Sequence, residues 1–241
     1  QGLGYYSMAF NLIMRPVQKI NPILTRVAFP ILSQVQNDNE RMKRGYFTML
    51  NLLSIVNAPI LIGLAVVAPV AVPVFLGSKW NPIVPVVQIL SLFSLLRSMG
   101  NAGGSMILAK GRPDMGLYWN SLFFCLTPVM IFCAAYFGDL IAIAWSLLIL
   151  QIFMIFSWYT FIVRKLLGRC FKEYVFSFGK PFVLAAVMGS TVLLFSHVYP
   201  GQTTLFFLLT QVAVGGISYV GLYALLDRNT VYKQMGILFN R

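Results

Sequence analysis

Residues 46–75 read YFTMLNLLSIVNAPILIGLAVVAPVAVPVF, thirty residues without a formal charge. A helix needs about 20 apolar residues to cross the hydrocarbon core of a bilayer, so this stretch predicts a transmembrane segment. The pattern repeats on both sides of it. Met115–Tyr136, Leu140–Val163 and Thr203–Leu226 carry no charge, Pro181–Val198 is shorter and also uncharged, and Pro82–Leu108 contains a single charge, Arg97. Tyr5–Gln34 contains three, Arg15, Lys19 and Arg26. Seven candidate spans result, and the expected fold class is an all-α integral membrane protein.

Composition points the same way. Of the 241 residues 59% are apolar and 10% charged, against roughly 25% charged in soluble domains, too little polar surface to cover a water-soluble globule. Eighteen basic and six acidic residues give a formal charge of +12. No basic tract of the kind that binds nucleic acid is present, so nucleic acid is not an expected partner. In a polytopic protein such an excess reports loops retained on the cytoplasmic side. Cys125, Cys133 and Cys170 form no C-x-x-C pair, two of them lie inside one apolar stretch, and His197 is alone at a span end. This pattern indicates neither a disulfide framework nor a metal or cofactor site. The sequence starts at Gln1 without a signal-peptide pattern, which predicts a fragment of a longer protein.

Loop charge tests the spans independently. Arg41, Lys43 and Arg44 follow the first segment, Lys110 and Arg112 the third, Arg164, Lys165, Arg169, Lys172 and Lys180 the fifth, and Arg228, Lys233 and Arg241 the last. The alternate loops contain Lys79, Asp139 and the uncharged Tyr199–Thr204. Thirteen basic residues therefore alternate against one, which places the C-terminus in the cytoplasm and brings the first segment in from outside. An odd number of spans should precede it. Tyr5, Tyr6, Trp80, Tyr136 and Tyr199 concentrate toward span ends, as an interfacial aromatic belt requires. Prolines 22, 30, 59, 69, 73 and 85 mark kinks or span ends.

The charges inside the spans are all cationic. At 100° per residue Arg15, Lys19 and Arg26 share a stripe about 40° wide, spread over about 16 Å. Each costs about 2.5–3.5 kcal/mol at the membrane centre, whereas the nine Leu, Ile, Val and Phe between Met8 and Pro30 return only about 3–5 kcal/mol together. The first segment should not insert alone; its stripe must face a wet cavity or a partner helix. Laid flat in the interface with the stripe outward, it would be an amphipathic surface helix instead, and loop charge does not separate the two readings. Arg97 lies mid-segment, with Gly100, Asn101 and Gly104 on the same helical face. The G-x-x-x-G spacing of Gly100 and Gly104 suits close helix packing. An intramembrane Arg on that face marks a functional site, or else is bonded to backbone carbonyls for structure. Four cations without counter-carboxylates call for an anion such as phosphate, pyrophosphate or carboxylate. A voltage sensor fits poorly at spacings of 4 and 7, and a proton relay lacks a deep acid.

Two long blocks carry a resemblance. Residues 3–46, LGYYSMAFNLIMRPVQKINPILTRVAFPILSQVQNDNERMKRGY, and residues 96–120, LRSMGNAGGSMILAKGRPDMGLYWN, resemble bacterial polysaccharide exporters. These are the O-antigen and exopolysaccharide flippases of the multidrug/oligosaccharidyl-lipid/polysaccharide exporter superfamily, and the similarity is closest to the colanic-acid exporter branch. The resemblance implies two six-helix lobes and two extra helices, of which this chain would supply helices eight to fourteen. Residues 1–165 would then be the C-terminal transport lobe lacking its first helix, 166–180 a basic cytoplasmic loop, 181–226 the two additional helices and 227–241 a cytoplasmic tail. It implies an inner-membrane flippase that moves undecaprenyl-pyrophosphate-linked oligosaccharide by alternating access. Arg15, Lys19, Arg26, Arg97 and Asn101 would bind that substrate. Its partners would be the lipid-linked anionic oligosaccharide, membrane lipids, the N-terminal lobe of the same polypeptide and polysaccharide assembly machinery. Two alternatives remain at this point. A membrane polymerase, ligase or acyltransferase would need acids, bases or nucleophiles that Lys79, Asp139 and His197 do not supply. A drug exporter of the same superfamily would favour cationic drugs, against which four buried cations argue.

Overall fold

The computed structural model describes residues 2–199 and 204–226, and among them every regular element is helical. α1 spans Gly2–Gln34 and α2 Asn39–Leu76. After a 3-10 turn at Ser78–Ile83 come α3 (Val84–Ser98) and α4 (Gly100–Ala109). Then follow α5 (Pro113–Phe137) and α6 (Leu140–Trp158), which passes through a π-helical turn at Tyr159–Val163 into α7 (Arg164–Leu167). α8 (Phe171–Val198) and α9 (Leu205–Leu226) close the chain. Six stretches are long and apolar enough to cross a membrane: 39–76, 78–109, 113–136, 140–167, 171–198 and 205–225. The chain is thus an all-α multi-pass membrane protein. α1, with its three cations, is not among the six.

α2 is the central element, in contact with α1, α3, α8 and α9. Asp38 caps it, its carboxylate accepting from the N–H groups of Glu40 and Arg41 at 3.1 and 3.0 Å. Those bonds, the one from Arg41 foremost, hold the Asp38 carboxyl below its ordinary value. α1 runs antiparallel to α2 along its length. Leu32 packs at Gly45, where an added Cβ would lie 2.8 Å from its Cδ2. At the other end Tyr5 meets Trp80 edge-on at 5.3 Å, just beyond the end of α2. Halfway along, Asn57 Nδ2 donates to Asn21 Oδ1 at 2.9 Å. A helix lying flat across the bundle end would not reach both ends of α2. Two large apolar clusters fill the interior, one around Ile13, Leu61, Leu90 and Leu184, the other around Tyr46, Leu50, Met106 and Trp158, and a smaller one joins Val67, Ala71, Val192 and Leu208.

The basic loops converge on one end of the bundle. Lys110 donates to Gln36 O and Asn39 Oδ1, both at 2.7 Å, joining the α4–α5 corner to the α1–α2 corner. Lys43 of α2 pairs with Glu173 of α8 at 3.1 Å. Arg228, Lys233, Arg241 and the tail 227–241 lie outside the described residues.

Three features depart from the sequence reading. α8 begins at Phe171, ten residues before Pro181, so most of the stretch expected as a basic loop at 166–180 is helix. Apolar patterning misses it because Lys172, Glu173 and Lys180 interrupt the run, although charged residues at a helix end sit in the headgroup region at little cost. The Pro82–Leu108 segment is interrupted at one residue, Met99, between α3 ending at Ser98 and α4 starting at Gly100, although Met99 keeps helical dihedrals of φ −65° and ψ −27°. Gly100 and Gly104 have nothing within 4 Å of an added Cβ, so they are not the packing pair that their spacing suggested. Gly103 takes that role: a Cβ there would overlap the Trp158 ring. The G-x-x-x-G spacing identified the right turn of helix and the wrong face.

Candidate functional site

The site lies beside the one-residue interruption of the helix at Met99. Gly100, Gly103 and Gly104 weaken the helix by leaving its backbone the freest of any residue type, and serine hydroxyls bond back onto it. Ser98 Oγ donates to Leu95 O at 2.7 Å and Ser105 Oγ to Asn101 O at 3.3 Å, contacts that bend helices. Asn101 Nδ2 donates to Ser98 O at 2.9 Å, supplying a partner to a carbonyl at the interruption. Arg97 is the last residue but one of α3, just before this interruption.

Beside it lies a cavity of about 1010 Å³, walled by α1, α3, α4, α5 and α6. Arg97 and Asn101 both line it. The Arg97 guanidinium stacks 4.5 Å above the Phe123 ring of α5, with Phe93 at 5.9 Å. Such cation–π contacts contribute about 0.5–2 kcal/mol and help fix the group without neutralising it. No acidic residue lines the cavity among the described residues, and Arg97 makes no ion pair. The remaining polar lining is neutral and includes Gln18, Asn21 and Thr25 from α1, Ser94 from α3, Asn120 from α5 and Gln151 from α6. Asn21, Ser94 and Gln151 are only 4%, 1% and 8% exposed, and their Nδ2, Oγ and Oε1 atoms have no hydrogen-bond partner among the described residues. A buried polar group without a partner costs about 1–3 kcal/mol. Each of the three atoms is closed to contact with a water-sized molecule, so these side chains place buried, unpartnered polarity behind the cavity wall rather than groups already turned into it. Pro22, also on the wall, adds to this by withholding the N–H that the Gln18 carbonyl would otherwise receive.

The expected substrate residues fall into two groups. Arg97 and Asn101 share the cavity, whereas Arg15, Lys19 and Arg26 do not line it. Those three are exposed on another face of α1 and have no partner among the described residues. On the helical wheel they lie about 100° from Gln18, Asn21 and Thr25. The amides were the residues that reading for charge passed over. Their signal was present, since Gln151 interrupts a charge-free span and Gln18, Asn21 and Thr25 recur at helical spacing.

Fold and site together define a multi-pass helical membrane protein with a cavity that sets one cation, Arg97, among neutral polar and apolar side chains. Residues 1–85 match a family described as "Polysaccharide biosynthesis protein". The chain is 37% identical over 191 residues to the teichuronic acid biosynthesis protein TuaB of Bacillus subtilis (strain 168), covering 78% of this chain and 39% of that protein. It is 35% identical over 182 residues to the lipopolysaccharide biosynthesis protein WzxC of Escherichia coli (strain K12), covering 76% and 37%. An uncharacterized membrane protein in the cps region of Klebsiella pneumoniae is 32% identical over 239 residues, covering 99% and 49%. No solved structure matches. The chain is thus similar over most of its length to proteins of bacterial polysaccharide biosynthesis, the resemblance that the two sequence blocks led one to expect. It spans half or less of the length of these relatives.

Proposed function

We propose that this chain forms one wall of an exporter that carries lipid-linked, anionic oligosaccharide units across the bacterial inner membrane. The observation that carries the proposal is Arg97, a cation without a carboxylate partner among the described residues, stacked on Phe123 beside a cavity that amides and hydroxyls also line. A guanidinium in that setting offers a planar fork to phosphate or carboxylate. The amide and hydroxyl groups around it can both donate to and accept from sugar hydroxyls.

Arg15, Lys19 and Arg26 have a second role in this reading. α1 crosses the membrane and turns its basic stripe toward a facing wall supplied by the rest of the protein. The pyrophosphate or an acidic sugar then meets cations on both sides of α1 along its path. Alternating access follows from rocking two such walls around a mid-membrane site, with the C-terminus in the cytoplasm, lipid tails outside the path and assembly machinery receiving the product. The protein works as a transporter in this reading, without chemistry of its own.

The test uses the intact protein in cells lacking their own exporter. Arg15, Lys19, Arg26 and Arg97 are replaced singly by Ala, and surface polymer is measured against the amount of membrane-inserted protein. Loss at Arg97 together with losses on α1 supports one anionic path that uses both faces. Normal export from all four variants would make the charges structural and remove the basis of the proposal.

A further inference from the structure

At the basic end of the bundle a second depression, about 460 Å³, lies between the end of α6 and the start of α8. Arg164, Arg169 and Lys172 line it together with Tyr159, Phe171 and Glu173. All three cations are exposed, and none has a carboxylate partner among the described residues. Glu173 is the one acid in the notch, and Lys43 of α2 engages it from outside at 3.1 Å. The notch therefore keeps an excess of positive charge.

Its walls are fixed rather than loose. The π-helical turn at Tyr159–Val163 lets Tyr159 reach the following corner, where its hydroxyl accepts the Cys170 N–H at 3.2 Å. The Tyr159 ring meets Phe171 at 5.1 Å and Tyr174 at 5.4 Å. Gly168 makes the reversal at φ 81°, a conformation in which a side chain would be strained. These contacts bring Arg169, on the corner, beside Arg164 and Lys172 on the flanking helices. Mere retention of loops in the cytoplasm asks only that basic residues be present, not that three of them share a pinned notch.

The surface on the membrane side of the notch is apolar. α6 runs toward the notch and α8 away from it. Phe156 stands one turn before Tyr159, Val175 one turn beyond Phe171 and Phe176 one turn beyond Lys172. All three are exposed, Phe176 at 75%. A cationic notch beneath exposed aromatic rings has the outline of a phospholipid, with phosphate below and acyl chains above. Basic pockets between helices at the cytoplasmic face hold such headgroups.

We infer that Arg164, Arg169 and Lys172 form a headgroup site for an anionic phospholipid of the surrounding bilayer, seated apart from the Arg97 cavity. Binding there would pin the α6–α8 corner to the membrane surface. The inference does not rest on the export reading, and its readout is lipid retention rather than transport. The intact protein is reconstituted in bilayers of phosphatidylethanolamine with cardiolipin, released in mild detergent and weighed by native mass spectrometry. Wild type should keep cardiolipin. The triple variant Arg164→Gln, Arg169→Gln, Lys172→Gln should lose it at least several-fold, whereas removing charge at the same end with Arg41→Gln and Arg44→Gln should leave it bound. Equal retention by wild type and the triple variant would overturn the site. So would displacement of the lipid by inorganic phosphate, which would make the ligand a soluble anion. Preference for a polyprenyl diphosphate over cardiolipin in competition would also overturn it, because the ligand would then be the transported lipid class.

Discussion

Arg97 and the stripe of Arg15, Lys19 and Arg26 are the same chemistry in two settings. Both are cations set in long, otherwise apolar helices, and both lack carboxylate partners among the described residues. Arg97, itself exposed, is stacked on Phe123 and shares a cavity with amides and hydroxyls. The stripe is exposed on a face of α1 about 100° from those amides, with nothing among the described residues engaging it. The difference teaches that one helix can carry two polar faces. The neutral face of α1 completes a cavity inside this chain, and the basic face has its function elsewhere. A count of intramembrane charges would treat all four residues as one site, whereas the packing divides them.

The largest expected effect falls on the cavity side of that division. Arg97→Ala should abolish export at normal membrane abundance, and Arg97→Lys should recover only a minor part, because an ammonium keeps the charge but loses the planar fork and the stacking. Full rescue by Lys would reduce the site to a point charge. On the other side, the combined Arg15→Gln, Lys19→Gln, Arg26→Gln variant should lose most export, with each single change costing less. Unchanged export by the triple variant would leave the cavity as the whole path and break the two-faced account of α1.

A third prediction concerns the helix that carries Arg97. Gly103→Leu should lower the amount of folded protein, because it drives a side chain into Trp158, an overpacking cost of about 1–3 kcal/mol or more. Gly100→Ala, with open space before it, should leave abundance unchanged; membrane fractionation and thermal unfolding in detergent read both. If the two glycines behaved alike, the separation of packing face from cavity face would fail. The smallest effect is expected at the α2 cap. The Asp38 carboxyl sits below its ordinary 3.8 because the N–H of Arg41, then that of Glu40, bonds its charged form. A depressed value stabilises the folded state above 3.8, and that contribution disappears as pH falls through the lower folded value. Thermal unfolding should therefore show a small loss of stability on acidification that Asp38→Ala lacks.

Much of the fold was legible because membrane insertion is a one-dimensional constraint. Charge-free runs located α2, α5, α6 and α9, and alternating basic loops correctly anticipated the shared end where Lys110 and Lys43 find their partners. What escaped was geometry that composition does not encode. The start of α8 at Phe171 was hidden by interfacial charges, and the one-residue interruption at Met99 falls among glycines and back-bonding serines whose joint effect a hydropathy reading does not register. The candidate cavity was half legible. Arg97 and Asn101 stood out by charge and spacing, while Asn21, Ser94 and Gln151 became visible only once three helices brought them to one cavity.

The central claim is that the cavity beside Arg97 receives the anionic substrate. Leu117 lines it and is 68% exposed, so a photo-crosslinking benzoylphenylalanine placed there in the intact, exporting protein samples the occupant directly. The account predicts an adduct carrying lipid-linked oligosaccharide, lost when Arg97→Ala is added. An exporting protein that gives no such adduct, or one that gives it equally with Arg97 removed, would contradict the account.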